Sequence, residues 1–419
     1  MRKIFLLCVL LCISTKAKAE WEPDMRLTND TAKSYTSYSN QRNIASEGEY
    51  IHIVWWDERN GNCDIFYKRS TDSGVTWETG LALTTDTGRS DCPSIAVSGG
   101  VVNVIWESNR DDKNIEIYFR RSTDYGVTWE PEIMLAKAIL SSTKIQTSIA
   151  LDSSNVHIVW CDKRDKQWEI YYKHSSDFGV TWGTDTCLTN TRYSFLPSIS
   201  VSKGIVNIVW ADYESTYEDI FSIRSSDGGI TWSEVIHLTD ANGNSTYPSI
   251  SVSNSLAVVT WQDERNGGNP QIFYKISTDN GESWDEDQLL TDSSGYFAFA
   301  NVSVSSSNIH IVWYDHKNRE IFYKRTTNCG LSWEPDFKLT EVEESNDAIV
   351  HPFVSASGTA VYIVWPDNRN DTNSEIYFKR NPTGNAVGVE EEQNTEQQNF
   401  YPNPADDLIY FDIDKKQSG

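Results

Sequence analysis

The chain has 419 residues, of which 36 are Lys or Arg and 60 are Asp or Glu, giving a formal charge of −24. That excess of acid argues against nucleic acid and anionic membrane surfaces as partners. No stretch approaches the ~18 consecutive apolar residues of a permanent membrane span, and the length suffices to bury a core without disulfide staples.

At the N-terminus, Arg2 and Lys3 precede an apolar run from Ile4 to Ile13, and Ala17-Lys18-Ala19 supplies a small-x-small cleavage site. This predicts a signal peptide over residues 1–19 and an exported product beginning near Glu20. Its removal takes away four cations and no acid, lowering the charge to −28. Such a balance reads as a solvated coat, or as an acid-lined site for a cation or sugar. The exported chain keeps Cys63, Cys92, Cys161, Cys187 and Cys329, an odd set in which only Cys63 and Cys92 fall in neighbouring loops where a bridge could form. The remaining thiols lack the spacing of metal ligands or nucleophiles.

From residue 21 onward one pattern recurs about every fifty residues. Its marker tryptophans are Trp55, Trp106, Trp160, Trp210, Trp261, Trp313 and Trp365, each ending an alternating run such as VNVIW that reads as a strand. The second unit shows four strand candidates in order, PSIAVS, VVNVIW, IEIYFRRS and TWEPEIML. Seven such units predict an all-β fold, a seven-bladed β-propeller of four-stranded antiparallel blades over residues 20–381. The seventh unit lacks a fourth strand after EIYFKRN, whereas WEPDMRLT from Trp21 matches the outer strands WEPEIMLA and WEPDFKLT. The N-terminal segment is therefore expected to close the last blade and leave no open sheet edge.

Between the third and fourth strands lies S-x-D-x-G-x-T-W, seen as STDSGVTW, STDYGVTW, SSDFGVTW, SSDGGITW and STDNGESW, with a decayed sixth copy, TTNCGLSW. Asp72, Asp124, Asp177, Asp227 and Asp279 can accept backbone N–H bonds inside a tight turn, and the glycine two residues on permits positive φ. These boxes read as structural. With them the chain resembles the Asp-box, or bacterial neuraminidase, repeat family, across nearly all of residues 21–381. The resemblance implies a sialidase-like propeller. Sialidases employ a tyrosine nucleophile with a partner glutamate, an aspartate acid/base and three arginines on the substrate carboxylate. Tyr213 with Glu214 or Glu218 imitates part of that set. The chain departs from the sialidase pattern in lacking the R-I-P segment, in having seven blades instead of six, and in showing no arginine trio distinct from the repeated ones.

In an up-and-down blade, the loops joining strands two and three share one face with the crossovers to the next blade, opposite the Asp boxes. On that face the second strand ends in W-x-D-x-R, giving Asp57/Arg59, Asp162/Arg164, Asp263/Arg265 and Asp367/Arg369, with variants Glu107/Arg110 and Asp315/Arg319. Arg59, Arg110, Arg164, Arg265, Arg319 and Arg369 could together grip a carboxylate. A feature repeated in six of seven blades also reads as scaffolding. The fourth blade breaks the repeat with Asp212-Tyr213-Glu214, Tyr217 and Glu218, and aromatic residues gather nearby: Trp56, Trp168, Tyr193, Phe195, Tyr247, Tyr296, Phe297 and Phe299. Exposed rings of this kind can stack on sugars.

No cofactor or metal is required by these motifs. The alternating oxygens of Asp240, Asn242 and Asn244, and of the loop from Asp57 to Asp64, offer at most a calcium loop without the distal glutamate of an EF-hand. Residues 382–399 read as a polar linker. Residues 400–419, opening NFYPNPADDLIYFDI, resemble the start of a C-terminal sorting domain of type IX secretion, cut short here. The expectation is a monomeric extracellular or cell-surface propeller that binds glycan or protein through the face carrying the D-x-R loops. The alternative is a glycoside hydrolase of exo-sialidase type, and a structural surface-layer component is a third reading.

Overall fold

A computed structural model describes residues 21–386 apart from 39–41, 86, 111–113, 139–145, 192, 214–215, 292–294, 341–350 and 370–372. The signal peptide, the linker from 387 onward and the sorting segment lie outside the described residues.

Seven antiparallel sheets follow one another along the chain. Blade 4 is typical, with an inner strand Ser194–Ser202, then Ile205–Asp212, Asp219–Ser225 and a short outer strand Ile236–His237. Its second strand, IVNIVWAD, is buried from Val206 to Asp212 because neighbouring blades cover both faces of the sheet, so apolar residues occupy both phases of the alternation. The seven marker tryptophans are 0–1% exposed. Each lies 5.8–6.1 Å from an aromatic ring on the third strand, as Trp210 does from Phe221. Truncating one such indole to alanine costs about 3–5 kcal/mol.

Ring closure follows the expectation. Blade 7 comprises Phe353–Ser357, Ala360–Asp367 and Glu375–Asn381, and its fourth strand is Met25–Arg26, with Met25 opposite Phe378 and Arg26 opposite Tyr377. Flanking bonds from Glu22 N to Arg380 O (3.0 Å) and Leu27 N to Ile376 O (2.8 Å) extend the pairing. Asp24 then bonds Arg369 (2.5 Å) and Lys379 (2.7 Å), and Trp21 packs edge-on against Tyr323 of blade 6 at 4.9 Å.

The Asp boxes form one turn repeated five times. Asp177 accepts from Ser175 Oγ, Thr181 N and Thr181 Oγ, and Asp227 repeats the set with Ser225 and Thr231. The threonine bonds, foremost, hold both carboxyls down to about 2. The box glycine carries a second constraint besides its φ of 82–88°. A Cβ on Gly126 would meet Tyr67 of the preceding blade, one on Gly179 would meet Phe119, and one on Gly229 would meet Tyr172. The following tryptophans pack edge-on against the same rings, Trp129 on Tyr67, Trp182 on Phe119 and Trp232 on Tyr172. The boxes therefore lock each blade to its predecessor.

Inner strands are joined by serine hydroxyls. Ser198, Ser200 and Ser202 of blade 4 accept from Ile250 N, Val252 N and Asn254 N of blade 5. Ser249, Ser251 and Ser253 do the same for Val302, Val304 and Ser306 of blade 6. Each hydroxyl satisfies an edge amide that would otherwise face the axis unpaired. The inner strands also bulge at residues with positive φ, among them Cys92, Leu196, Tyr247 and Phe299. In blade 1 the corresponding strand is split into Ser34–Tyr35 and Ile44–Glu47.

Candidate functional site

The face opposite the Asp boxes is built where each second-to-third-strand loop meets the next blade's inner strand. Backbone bonds mark the joints: Ser90 N to Cys63 O, Ser194 N to Trp168 O, Ser245 N to Glu218 O and Phe297 N to Pro270 O. Cys63 and Cys92 are neighbours in this sense, yet no disulfide joins them and both are buried thiols. The Cys63 sulfur turns toward Glu58, and Cys92 sits on the inner-strand bulge beside Asp91 and Glu107. Cys92, Asp91 and Glu107 bring possible ligand atoms within 4.8 Å of one another. Asp91 is paired with Arg89 and Glu107 accepts from Gln146 N.

The D-x-R residues form clips within each blade. Asp57 accepts from Trp55 Nε1, Ser34 Oγ, Arg59 N and the Arg59 guanidinium. Burial raises its pKa, but the bonds from Arg59 and Ser34 prevail and hold the carboxyl below its ordinary value. Arg59, Arg110, Arg164, Arg265 and Arg369 each lie 3.9–4.7 Å above a third-strand ring. Arg110 pairs with Glu132, and the other four pair with a second acid, in order Asp30, Asp185, Asp287 and Asp24. Four of these guanidinium groups are thus engaged inside their own blades, tying strands two, three and four, while Arg59 reaches Asp30 on the crossover from blade 7 to blade 1. The loop from Asp57 to Asp64 is similarly committed, with Asp64 accepting from Asn60 and Thr84.

Blade 6 departs from this plan. Its loop reads Asp315-His316-Lys317-Asn318-Arg319, with Arg319 at a φ of 57° and Lys317 at the clip arginine's position. Asp315 accepts instead from Lys317 N and from Asn318 N and Nδ2. A cavity of about 150 Å³ opens between Phe322, Trp313, Asp315 and Asp336, where the other clips stack their arginine.

The aromatic candidates divide by burial. Trp56 is 2% exposed and Trp168 9%, so both are buried, contrary to the expectation of exposed rings. Trp56 shares the phase of Val54 on its strand and faces blade 2, stacked on Tyr35 at 4.7 Å. Trp168 bridges to Tyr193, and the pair closes a blade junction. Phe297 is also buried. Four tyrosines stand out: Tyr193, Tyr213, Tyr217 and Tyr296 are 37–45% exposed. All four lie on the D-x-R face, on the loops of blade 4 and the crossovers into blades 4 and 6.

Glu218 sits within this sector. Burial, and then the Glu264 carboxylate of blade 5, push its pKa above the usual carboxylate value. Asn244 connects the two acids, accepting from Glu218 N at 3.2 Å and donating to Glu264 at 2.9 Å. Tyr247 is raised by burial, with Glu218 adding to the effect. Tyr213 donates to Thr216 O within its own loop, and Glu214 lies outside the described residues. Sequence reasoning singled out Glu218 but missed Glu264, which occupies the variable position of an intact D-x-R clip and carries no mark of its own.

Comparison with known proteins bears on the scaffold. A protein of unknown function from Dyadobacter fermentans superimposes with a TM-score of 0.50 at 13% identity, covering 71% of this chain and 95% of that one. The polysaccharide lyase Uly1 gives 0.57 at 8% identity, covering 86% and 98%. The endosialidase of phage phi92 gives 0.51 at 10%, covering 94% and 76%. At such identities these likenesses describe the fold alone. No curated protein matches the sequence. The BNR repeat-like domain pattern matches residues 8–255 and 101–311, more than half the chain, and the protein belongs to that family.

Proposed function

We propose that the protein is an exported propeller that binds glycan through the tyrosine-bearing sector of the face opposite its Asp boxes. The observation that carries this reading is the confinement of the four exposed tyrosines among the described residues to blades 4–6 of one face, in a ring whose other features repeat. Tyrosine presents an apolar ring to a sugar face and a hydroxyl to its rim. Glu264 and Asn244 add polar partners at the edge of that platform, and two of the neighbouring folds belong to enzymes named for polysaccharide or sialoside cleavage. The D-x-R arginines serve here as supports for the loops. The test is a glycan array on the full-length protein, with Tyr213→Ala and Tyr296→Ala. Loss of binding in both, with unchanged thermal stability, supports the reading. Equal binding by all three proteins, or none by the wild type, refutes it.

A second reading, glycoside hydrolysis, is favoured by one observation: a half-buried acid with a raised pKa, Glu218, beside another carboxylate, Glu264. A carboxyl whose proton is held more tightly than usual, next to a second carboxyl, is the kind of pair from which a general acid and its base are built. Turnover of fluorogenic sialosides or other glycosides, abolished by Glu218→Gln, would establish it. Export through the 1–19 leader and type IX recognition of residues 400–419 belong to the same proposal. N-terminal sequencing of the extracellular product, expected to begin at Glu20, tests the first part.

A further inference from the structure

The seven inner strands enclose a cavity of about 180 Å³ on the axis. Its lining is apolar side chains, five serines and one charged group, Arg42. Arg42 follows the interruption in the inner strand of blade 1, and its Nη2 reaches across the axis to the Ile250 carbonyl of blade 5 at 3.0 Å. A guanidinium carries five N–H donors, and among the described residues no carboxylate pairs with this one. Each arginine of the five D-x-R clips, by contrast, pairs with at least one acid. Desolvation alone lowers the Arg42 pKa to about 10, and the group still remains charged at neutral pH.

The serines reinforce the asymmetry. Ser200 Oγ and Ser251 Oγ already accept N–H bonds from Val252 and Val304, so their own protons are available to donate. Acceptors of matching charge are missing from the lining. The cavity is therefore a donor-rich, cationic space inside a chain of charge −24. A half-buried cation without a counter-charge is unfavourable, and it is relieved by an ion of opposite sign. Since one water occupies about 30 Å³ of liquid volume, the space suits a small ion with a partial hydration shell.

We propose that the axial cavity is a binding site for a small inorganic anion, a halide or an oxyanion such as phosphate, held by the Arg42 guanidinium and the serine hydroxyls of the inner strands. The ion joins blades 1 and 5 through one charge and acts as an axial rivet. This inference is independent of the glycan reading, since the tyrosine sector lies on the loops and the cavity among the inner strands.

The test uses the full-length protein. Crystals soaked in bromide are expected to show an anomalous peak in contact with the Arg42 guanidinium. In solution, replacing gluconate by chloride, bromide or phosphate at constant ionic strength should raise Tm saturably by about 2 °C or more, and Arg42→Gln should abolish the rise. The order among the three salts identifies halide or oxyanion as the preferred occupant. An empty cavity in bromide-soaked wild-type crystals overturns the proposal. So does an equal salt response in wild type and Arg42→Gln, which would place the effect on the surface. If Arg42→Gln does not fold, the bromide peak in the wild type decides alone.

Discussion

Blade 4 contains an internal control for the claim that box glycines lock neighbouring blades. Its box has two successive glycines, Gly228 at φ 76° and Gly229 at φ 88°. A Cβ on Gly228 meets nothing within 4 Å, whereas one on Gly229 collides with the Tyr172 hydroxyl and lies 2.6 Å from its Cζ. That ring cannot swing aside freely, because its hydroxyl bonds His157 Nδ1 at 2.7 Å and its edge packs on Trp232 at 4.9 Å. Gly228→Ala thus meets only the left-handed backbone penalty, about 1–2 kcal/mol. Other boxes place Ser73, Tyr125, Phe178 and Asn280 at this position with φ of 57–62°, so Gly228→Asn should be milder still. Gly229→Ala adds overpacking of about 1–3 kcal/mol to the same backbone term, for a total near 2–5 kcal/mol. Urea unfolding of the full-length protein measures both, provided the slope m is unchanged. Tyr172→Phe in the Gly229→Ala background should recover part of the loss. Equal destabilisation by Gly228→Ala and Gly229→Ala would refute the interblade contact as the reason for the glycine.

Four further outcomes follow from the packing and the buried charges. Lys317→Arg should stack on Phe322, fill the blade 6 cavity and raise stability by about 0.5–2 kcal/mol; thermal unfolding showing no gain would mean the slot is not shaped for a guanidinium. Asp24→Ala removes the shared partner of Arg369 and Lys379, both largely buried, and should cost about 1–3 kcal/mol in denaturant unfolding. Glu22→Ala, whose carboxylate is 41% exposed, should cost under about 1 kcal/mol. Desolvation lowers His52 and His157 to about 3 and His310 to about 4, so these rings are neutral when folded and protonate more readily when unfolded. Their contribution is complete above pH 6.5 and declines as pH falls toward 4, at up to about 1.4 kcal/mol per unit for each ring. His157→Gln should flatten the pH dependence of Tm in that window, and an unchanged slope would count against the ring as its source.

Much of the architecture was legible because it repeats. The marker tryptophans, the boxes and the match of WEPDMRLT to other outer strands sufficed for blade number, strand order and the closing segment. Exposure was harder to read. Trp56 sits at the loop end of a strand, but it shares a phase with Val54, and both faces of a blade are covered, so alternation does not separate inside from outside here. The serines of PSISVS carry no mark of their own in the sequence, and they are acceptors for the next blade's amides. Arg42 escaped notice because it lies between the two pieces of blade 1's interrupted inner strand, where the repeat offers no template. Glu264 was hidden for the opposite reason, inside a motif that looked complete.

The closing strand sets an order of events for the molecule. Within the ring, the segment synthesised first is the one whose partner, Glu375–Asn381, is synthesised last, some 350 residues later. The circle therefore stays unsealed until that third strand of the seventh blade has been made. Until then the Trp21 segment presents an unsatisfied margin. A chain cut short before residue 375 would keep six complete blades and still lack a seam, leaving it prone to join a second molecule edge to edge.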